Sequence, residues 1–421
     1  MSARVSPDPD ARPSRAGRHG ATFIFITILL DVLGLGIIIP VLPDLIQGLT
    51  GEGLDRAAVY GGAMMFLYAV IQFFAAPIIG NLSDRFGRRP VLLISLMGLS
   101  IDYVIMALAP TIVWLFVGRA LTGIGGATIT TASAYMADVS SPEQKARNFG
   151  LLGAAFGLGF ILGPLIGGLF SVYGPRAPFY AAAAVAFANF LYGLLVLPES
   201  LPAERRRPFD WSRANPVGAL LDLRQYPMVL PLAGGLFLFH IGHYVYPSVW
   251  NFFTIAAFEW SAVQVGLSLT AVGVVSAFVQ GGLVGPIVQR AGPMKAAIIG
   301  LSFAVIGHLG YALSATPFML YAVMGLTCLS GISGPAINGL LSNAVPADSQ
   351  GALQGGVTSL MSVAAIIGPP VMTLIFSTFT APGAPVQFPG APFILSASLM
   401  ALALLTILVI GRRARVPLAG S

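Results

Sequence analysis

Residues 80–89 read Gly-Asn-Leu-Ser-Asp-Arg-Phe-Gly-Arg-Arg and lie between two long apolar segments. The stretch gathers three arginines, one aspartate and two glycines in a chain of which only 9% is charged. A weaker copy, Gly-Pro-Ile-Val-Gln-Arg-Ala-Gly, occupies residues 285–292. A chain that repeats a charged turn halfway along its length is predicted to consist of two similar bundles of helices.

The composition indicates that lipid is the solvent of this chain. Of its 421 residues, 56% are hydrophobic and the mean hydropathy is +0.85, whereas a soluble protein carries about 25% charged residues. The 50 glycines and 31 prolines fit closely packed, bent membrane helices. The net charge of +6 reflects topology, so we expect no nucleic-acid partner. The single cysteine, Cys328, excludes internal disulfides and cysteine metal sites and is interpreted as a small core residue.

Twelve apolar runs are long enough to cross a bilayer, which takes about 20 residues. We predict an all-α membrane protein with twelve transmembrane helices in two pseudo-symmetric six-helix bundles, at 21–197 and 227–411. Residues 198–226, rich in proline and arginine, read as a cytoplasmic linker that could hold a short surface helix. Residues 1–20 and 412–421 read as cytoplasmic tails, the first of them disordered. The predicted spans, numbered 1 to 12, are 21–47, 57–81, 90–109, 112–136, 148–171, 177–197, 227–256, 263–284, 294–314, 317–343, 350–377 and 391–411.

The positions of the basic residues predict the orientation. Of the 22 lysines and arginines, all but Arg56, Arg119 and Arg176 fall in the tails, the linker or the loops that follow spans 2, 4 and 8. Because basic residues concentrate on the cytoplasmic side, both termini are predicted to be cytoplasmic. Other short motifs also repeat: Gly163-Pro164 in span 5 has a counterpart in Gly368-Pro369 in span 11. Two bundles of the same topology predict a solute site near the bilayer midplane, between them.

Charged side chains within the spans are the strongest functional signal, because placing one at a helix centre costs roughly 2.5–3.5 kcal/mol. Asp31 lies about 15 Å into span 1. Asp102 in span 3 and Arg119 in span 4 lie at similar depth, about 18 Å and about 12 Å from opposite faces of the membrane. Asp102 and Arg119 could form an ion pair that only locks two helices, or could handle protons. Asp31 has no cation near it in sequence, so a functional role is predicted.

The second half has no acidic residue deep in a predicted span. On span 7, His243, Tyr246 and Trp250 share one helical face. This stripe could stack on a flat, partly polar ligand, or its aromatic residues could form an interfacial belt. His308 is interpreted as structural. The other candidate ligand contacts are the polar residues His240, Tyr244, Asn251, Gln280 and Asn338.

Two patterns in the first half each have a packing and a functional interpretation. Tyr68 and Gln72 lie one turn apart on span 2 and could pack against a helix or contact a ligand. Small residues give span 5 a smooth surface that allows close packing, and a hinge there could also control leakage through a central pathway. The residues of this second pattern are Gly153, Gly157, Gly163, Pro164, Gly167 and Gly168.

Four stretches resemble the major facilitator superfamily: residues 30–43, 80–89, 118–123 and 153–168. The last resembles a motif of drug:proton antiporters, and Asp102-Tyr103 and residues 350–355 resemble the tetracycline efflux group within it. The resemblance implies a proton-coupling role for Arg119 and substrate or proton binding at Asp31, Gln72 and Asp102. It also implies a cytoplasmic latch that holds the outward-open state and loosens on protonation, formed around Asp84, Arg88 and Asp138 with Gly80, Arg85, Gly87 and Arg89.

One departure concerns the second half. Tetracycline pumps carry ionisable residues in spans 8 and 9, where this chain has Ser276 and Ala304.

The sequence therefore predicts a monomeric inner-membrane transporter that exports a drug-like amphipathic molecule in exchange for protons by alternating access, with lipid and protons as its other partners. Proton-coupled uptake of a sugar or another metabolite is the alternative with the same fold. A membrane sensor or scaffold without transport is the alternative of another class. The sequence shows no nucleophile–base pair, zinc-ligand spacing or phosphate-binding loop. We thus expect neither an enzyme nor a bound cofactor or metal.

Overall fold

The computed structural model describes residues 15–126, 128–141, 143–210, 229–346 and 349–413. Most of the predicted N-terminal tail, the linker after residue 210 and residues 414–421 lie outside the described residues. The α-helices are Arg15–Ile38, Leu42–Thr50, Leu54–Phe86, Arg88–Leu108, Ile112–Gly125, Thr128–Val139, Lys145–Phe170, Ala177–Val196, Val229–His243, Val245–Phe258, Ala262–Phe278, Val284–Ala312, Pro317–Cys328, Ser333–Asn343, Gln350–Thr380 and Ala391–Arg413.

Several of these helices join end to end, so that the described residues contain 11 helical segments long and apolar enough to cross a membrane. In span 1 the junction is a 3-10 turn, Ile39–Val41. The turn contains Pro40, which has no backbone N–H to donate and therefore interrupts the α-helix. In span 10 it is the 3-10 turn Leu329–Ile332. Span 7 is interrupted at Tyr244, whose backbone N–H is shared between the carbonyls of His240 and Ile241.

Predicted spans 8 and 9 run together as one segment, Ala262–Ala312, of 51 residues. A straight helix of that length would be about 77 Å long, more than twice the hydrocarbon core. The segment is not straight, because Gly292 has φ 77° and ψ 159°, outside the helical region. Gly87, which separates spans 2 and 3, has φ 104° and the same ψ of 159°. The two copies of the charged turn therefore share a backbone geometry in which glycine is favoured.

The buried apolar residues divide in the way that two bundles require. One cluster draws only on residues 21–197 and a second only on residues 229–410. A third cluster takes residues from both halves, such as Ile46 and Ala57 from the first and Phe252 and Phe376 from the second. We call the end of the molecule that carries residues 80–89 the basic end, and the end that carries residues 50–54 the opposite end. The shared cluster lies toward the opposite end.

Direct contacts close the opposite end between the two halves. The Asn251 side-chain amide donates a 2.5 Å hydrogen bond to the backbone carbonyl of Ile39. Span 2 packs on span 11 where Gly62 faces Thr373. Span 5 packs on span 8, and Thr270 donates a 3.1 Å hydrogen bond to the carbonyl of Ile161. In the contact between spans 2 and 11, position 62 requires glycine, because a Cβ atom there would overlap the side chain of Thr373.

Candidate functional site

A cavity of about 820 Å³ lies between the two halves on the basic-end side. Spans 2 and 4 form one wall, with Gln72 at mid-depth and Asp84 toward the basic end. Spans 7 and 11 form the other wall, which includes Tyr244 and Gln354. Because the two halves are in contact at the opposite end, the cavity opens toward the basic end in this conformation.

Asp102 and Arg119 lie together in the interior of the first half. Asp102 is 0% exposed, and its Oδ2 atom lies 3.8 Å from Arg119 Nη2. The Thr122 hydroxyl donates a hydrogen bond to the same oxygen. Arg119 Nη2 also lies 3.3 Å from the sulfur of Met106. Thr122 follows Arg119 by about one turn on span 4, and sequence reasoning missed it although its spacing from Arg119 was visible.

Asp31 is 5% exposed, and its Oδ1 atom has no hydrogen-bond partner among the described residues. The ring of Tyr103 packs on Gly34, one turn along span 1 from Asp31. Tyr103 is within electrostatic range of Asp31, Asp102 and Arg119, so this tyrosine is near both carboxylates. In the sequence, Tyr103 was noted only because Asp102-Tyr103 resembles the tetracycline efflux group, and it was not predicted as a site residue.

Gln72 and Tyr68 extend this group toward the cavity. The Gln72 side-chain amide donates a 3.3 Å hydrogen bond to the carbonyl of Gly126 and lines the cavity. Tyr68 interacts with Gln72 and is within electrostatic range of Asp31 and Arg119. The two residues therefore connect the buried carboxylates to the open volume.

Span 7 places its candidate residues in three different settings. Tyr244 lines the cavity, and His243 is exposed although span 7 lies inside the molecule. Trp250 is 1% exposed and donates a 3.0 Å hydrogen bond from its indole nitrogen to Ser268. Trp250 thus faces neither the cavity nor lipid here, unlike both sequence interpretations, because Ser268 satisfies its N–H inside the core. Asn251 joins the halves at the opposite end.

The remaining candidates of the second half are scattered. His240 is half-buried beside Phe239, whose ring centroid lies 5.4 Å away. Gln280 is exposed within a π-helical segment, Val279–Leu283, and Asn338 is half-buried on span 10. The structure does not gather these three residues with Tyr244 around the cavity.

The basic-end turn is held by a compact set of ion pairs. Arg88 lies 2.5 Å from Asp84 and 3.1 Å from Asp138, and donates a 2.6 Å hydrogen bond to Ser83. All of these residues belong to the first half. Their ion pairs are formed while the cavity lies on the basic-end side, and not only in the outward-open state that the resemblance implies. Arg85 is exposed and stacks over Phe86, and Gly80 has open space around it in the described chain.

Glu199 anchors the linker to this turn, a role that sequence reasoning missed. Its carboxylate accepts hydrogen bonds from the backbone N–H of Arg88, at 2.8 Å, and of Arg89, at 3.3 Å. These are free donors at the start of span 3, where a carboxylate is favoured. Asn81 also donates a 2.7 Å hydrogen bond to the backbone carbonyl of Asp210. The available signal was a lone glutamate directly after a span.

The glycines of span 5 fall into two groups. Gly163, next to Pro164, lies against Gly36 of span 1, and Gly167 against Ile37. Gly153 and Gly157, nearer the basic end, have nothing within 4 Å of the point where a Cβ atom would lie, among the described residues. Half of the motif is therefore packed against span 1, and the other half faces open space.

Two helical bundles that enclose a central cavity in a chain of membrane-spanning helices define a membrane transporter. The chain belongs to the Major Facilitator Superfamily, whose family model matches residues 24–369, and this confirms the resemblance found in the sequence. It is a multi-pass protein of the inner membrane with a small-molecule substrate, and its family consists of transporters, not enzymes.

Individual relatives agree with this assignment. The tetracycline resistance protein, class C, of Escherichia coli is 40% identical over 351 residues, which cover 83% of this chain and 88% of that protein. The crystal structure of the human organic anion transporter MFSD10 (TETRAN) has a TM-score of 0.68 at 24% identity and covers 94% of this chain and 100% of its own. A bacterial homolog of the human lysosomal transporter Spinster, inward-facing and unoccupied, has a TM-score of 0.77 at 15% identity and covers 95% and 98%. The two structures support the fold alone.

Proposed function

We propose that this protein exports an amphipathic drug-like molecule of the tetracycline type in exchange for protons that enter the cell. The observation that carries the proposal is the group of three ionisable residues in the interior of the first bundle, near Tyr68. Asp31, Asp102 and Arg119 are all in the first bundle, and Asp31 has an oxygen without a partner in the described chain. Burying such charged groups in a membrane costs free energy, so their presence indicates a function. A carboxylate that is exposed first to one side of the membrane and then to the other can carry a proton across it.

Alternating access is the proposed mechanism of exchange. The bundles, 21–197 and 227–411, would rock about a midplane site, and the closed opposite end with a basic-end cavity supports one of the two required states. The break at Gly292 supports twelve spans, because it divides the 51-residue segment into two lengths that each fit a bilayer. The concentration of basic residues at one end supports cytoplasmic termini. The protein would act as a monomer in lipid.

We propose specific roles for the site residues. Asp31 and Asp102 would bind the proton or recognise a cationic group of the substrate, and Arg119 would modulate Asp102. Gln72 and Tyr244 would contact substrate in the cavity, with Tyr68, His240, His243, Tyr246, Trp250, Asn251, Gln280 and Asn338 as the wider set of candidates. The ion pairs of Arg88 would act as the conformational latch, and the span 5 glycines as the packing surface along which the bundles move.

Substitution of Asp31 tests the proposal. We expect Asp31→Asn to abolish tetracycline resistance in cells that express the protein at the wild-type level, because the amide cannot exchange a proton. Asp44→Asn is the matched control, since Asp44 lies on the same span but is exposed at the opposite end. A protonophore should remove wild-type resistance as well. Wild-type resistance in the Asp31→Asn strain would refute the assignment, and growth on a carbon source that requires the protein would favour uptake instead.

A further inference from the structure

A second group of buried polar atoms lies in the second bundle, apart from the acidic site. His308 is 0% exposed, and its Nδ1 atom lies 2.6 Å from the backbone carbonyl oxygen of Ala304. Its other ring nitrogen, Nε2, is buried and has no hydrogen-bond partner within the described ranges. The hydroxyl of Tyr246 is in the same situation. The centroids of the two rings are 5.2 Å apart.

The contact with Ala304 fixes the chemistry of the imidazole. A carbonyl oxygen only accepts hydrogen bonds, so Nδ1 carries the hydrogen and a neutral His308 presents the lone pair of Nε2. A buried acceptor and a buried hydroxyl without partners are costly, at about 1–3 kcal/mol each. Neither atom is accessible to water in this conformation, so no drug-sized molecule reaches them. A proton can reach them only by transfer from a neighbouring side chain.

His243 provides the connection to open space. Its ring centroid lies 5.2 Å from that of Tyr246, and the residue is exposed. The three side chains therefore form a continuous series from the exposed His243 through Tyr246 to the buried His308.

We propose that His308, Tyr246 and His243 form a proton-binding site in the second bundle, which rests on the proton-coupled function proposed above. The proton adds to the Nε2 lone pair of His308, which becomes an N–H donor while Nδ1 keeps its contact with the carbonyl of Ala304. His243, the exposed member of the series, is the point at which the proton enters. The site stands in place of the ionisable residues whose positions hold Ser276 and Ala304.

The groups around the cluster determine how protonation of His308 affects the conformation. The titratable groups that face the cluster are His240, next to His243, and Tyr311 and Cys328, next to Tyr246. None of them is a carboxylate in the described part of the second bundle. A protonated His308 would thus be a buried cation without a counter-charge, which is strongly unfavourable. Protonation therefore disfavours the present conformation relative to one in which the cluster meets water, and this couples the proton to the movement of the bundles.

Proteoliposomes containing the full chain and tetracycline as the probe test the proposal. His308→Gln and Tyr246→Phe should each lower uphill, pH-driven tetracycline transport by at least about tenfold, or about 1.4 kcal/mol. His308→Gln should keep tetracycline exchange in the absence of a pH gradient, because exchange needs no net proton transfer. His19→Gln, at the histidine outside the second bundle, is the matched control and should retain both activities. Unchanged uphill transport in both variants, or equal loss of both activities, overturns the proposal.

Nitrogen NMR of the same protein in nanodiscs needs no transport at all. The chain has four histidines, so single His→Gln variants assign every signal. We expect His308 to carry its hydrogen on Nδ1 when neutral and to gain a second proton on acidification from about pH 8 to about pH 4. Tyr246→Phe should change that titration. If wild-type protein moves no tetracycline but His308 titrates, the proposed function fails and the proton site stands; a His308 signal that never changes refutes the site.

Discussion

Removal of the Arg119 cation should destabilise the protein far more than neutralisation of its partner. Asp102 is 0% exposed, and beyond Arg119 at 3.8 Å its carboxylate is held only by the Thr122 hydroxyl among the described side chains. The side chain of Arg119 is 16% exposed, so water can solvate the guanidinium once its partner is neutral. Leaving a buried charge without its partner costs about 3–5 kcal/mol. Arg119→Leu should cost that amount.

Asp102→Asn should cost about 1–2 kcal/mol, because an amide oxygen still accepts the hydrogen bond of Thr122. The double variant, Asp102→Asn with Arg119→Leu, should lie within about 1 kcal/mol of Asp102→Asn alone, since no charge then remains buried. The measurement is the free energy of unfolding by denaturant in nanodiscs or mild detergent. Both single variants should lose uphill tetracycline transport, and the double variant should regain stability without regaining transport.

Arg85→Leu is the control for this comparison. Arg85 is exposed and interacts with the ring of Phe86, so its replacement should change stability by less than about 0.5 kcal/mol. The reasoning would be refuted if Arg119→Leu were no more destabilising than Asp102→Asn, or if the double variant were as unstable as Arg119→Leu. Either result would mean that Asp102 is not a charged partner of Arg119 in this fold.

Two further predictions test the packing of the first bundle. Gly163→Val should destabilise the fold by about 1–3 kcal/mol, because a Cβ atom there would lie 2.7 Å from the Cα atom of Gly36; Gly153→Val, with open space in the described chain, should unfold like wild type while transport changes. Glu199→Ala should remove about 1–2 kcal/mol from the start of span 3, since the backbone N–H of Arg88 loses its acceptor, and limited proteolysis should cut the linker faster. Equal melting of the two glycine variants, or an unchanged rate of cleavage in Glu199→Ala, would contradict these assignments.

The sequence predicted an all-helical membrane protein because hydropathy and charge act over whole segments. Span lengths follow from the thickness of the bilayer, and the charged turn at residues 80–89 marks a boundary that an apolar chain can form in few ways. The count of spans is harder, because Gly292 redirects the chain within continuous helical hydrogen bonding instead of in a loop. Only the backbone dihedral shows that break.

The site was predicted less completely, because depth along a helix can be read from a sequence but direction cannot. The similar depths of Asp102 and Arg119 brought them together correctly, whereas Trp250 lay on the expected face of span 7 and still turned into the core toward Ser268. Glu199 binds residues more than one hundred positions away, and no local pattern reports such a contact. Partners that come from other spans are thus the part that sequence reasoning could not supply.

The two bundles respond to a proton in opposite senses if both proposed sites are correct. A proton on Asp31 or Asp102 removes a buried negative charge and lowers the cost of keeping that residue away from water. A proton on His308 creates a buried positive charge and raises that cost. Acidification would therefore stabilise the closed packing around the first-bundle acids while opening the second-bundle cluster. Rocking of one bundle against the other accounts for both effects, since one movement can shield the first-bundle acids from water and expose the second-bundle cluster to it.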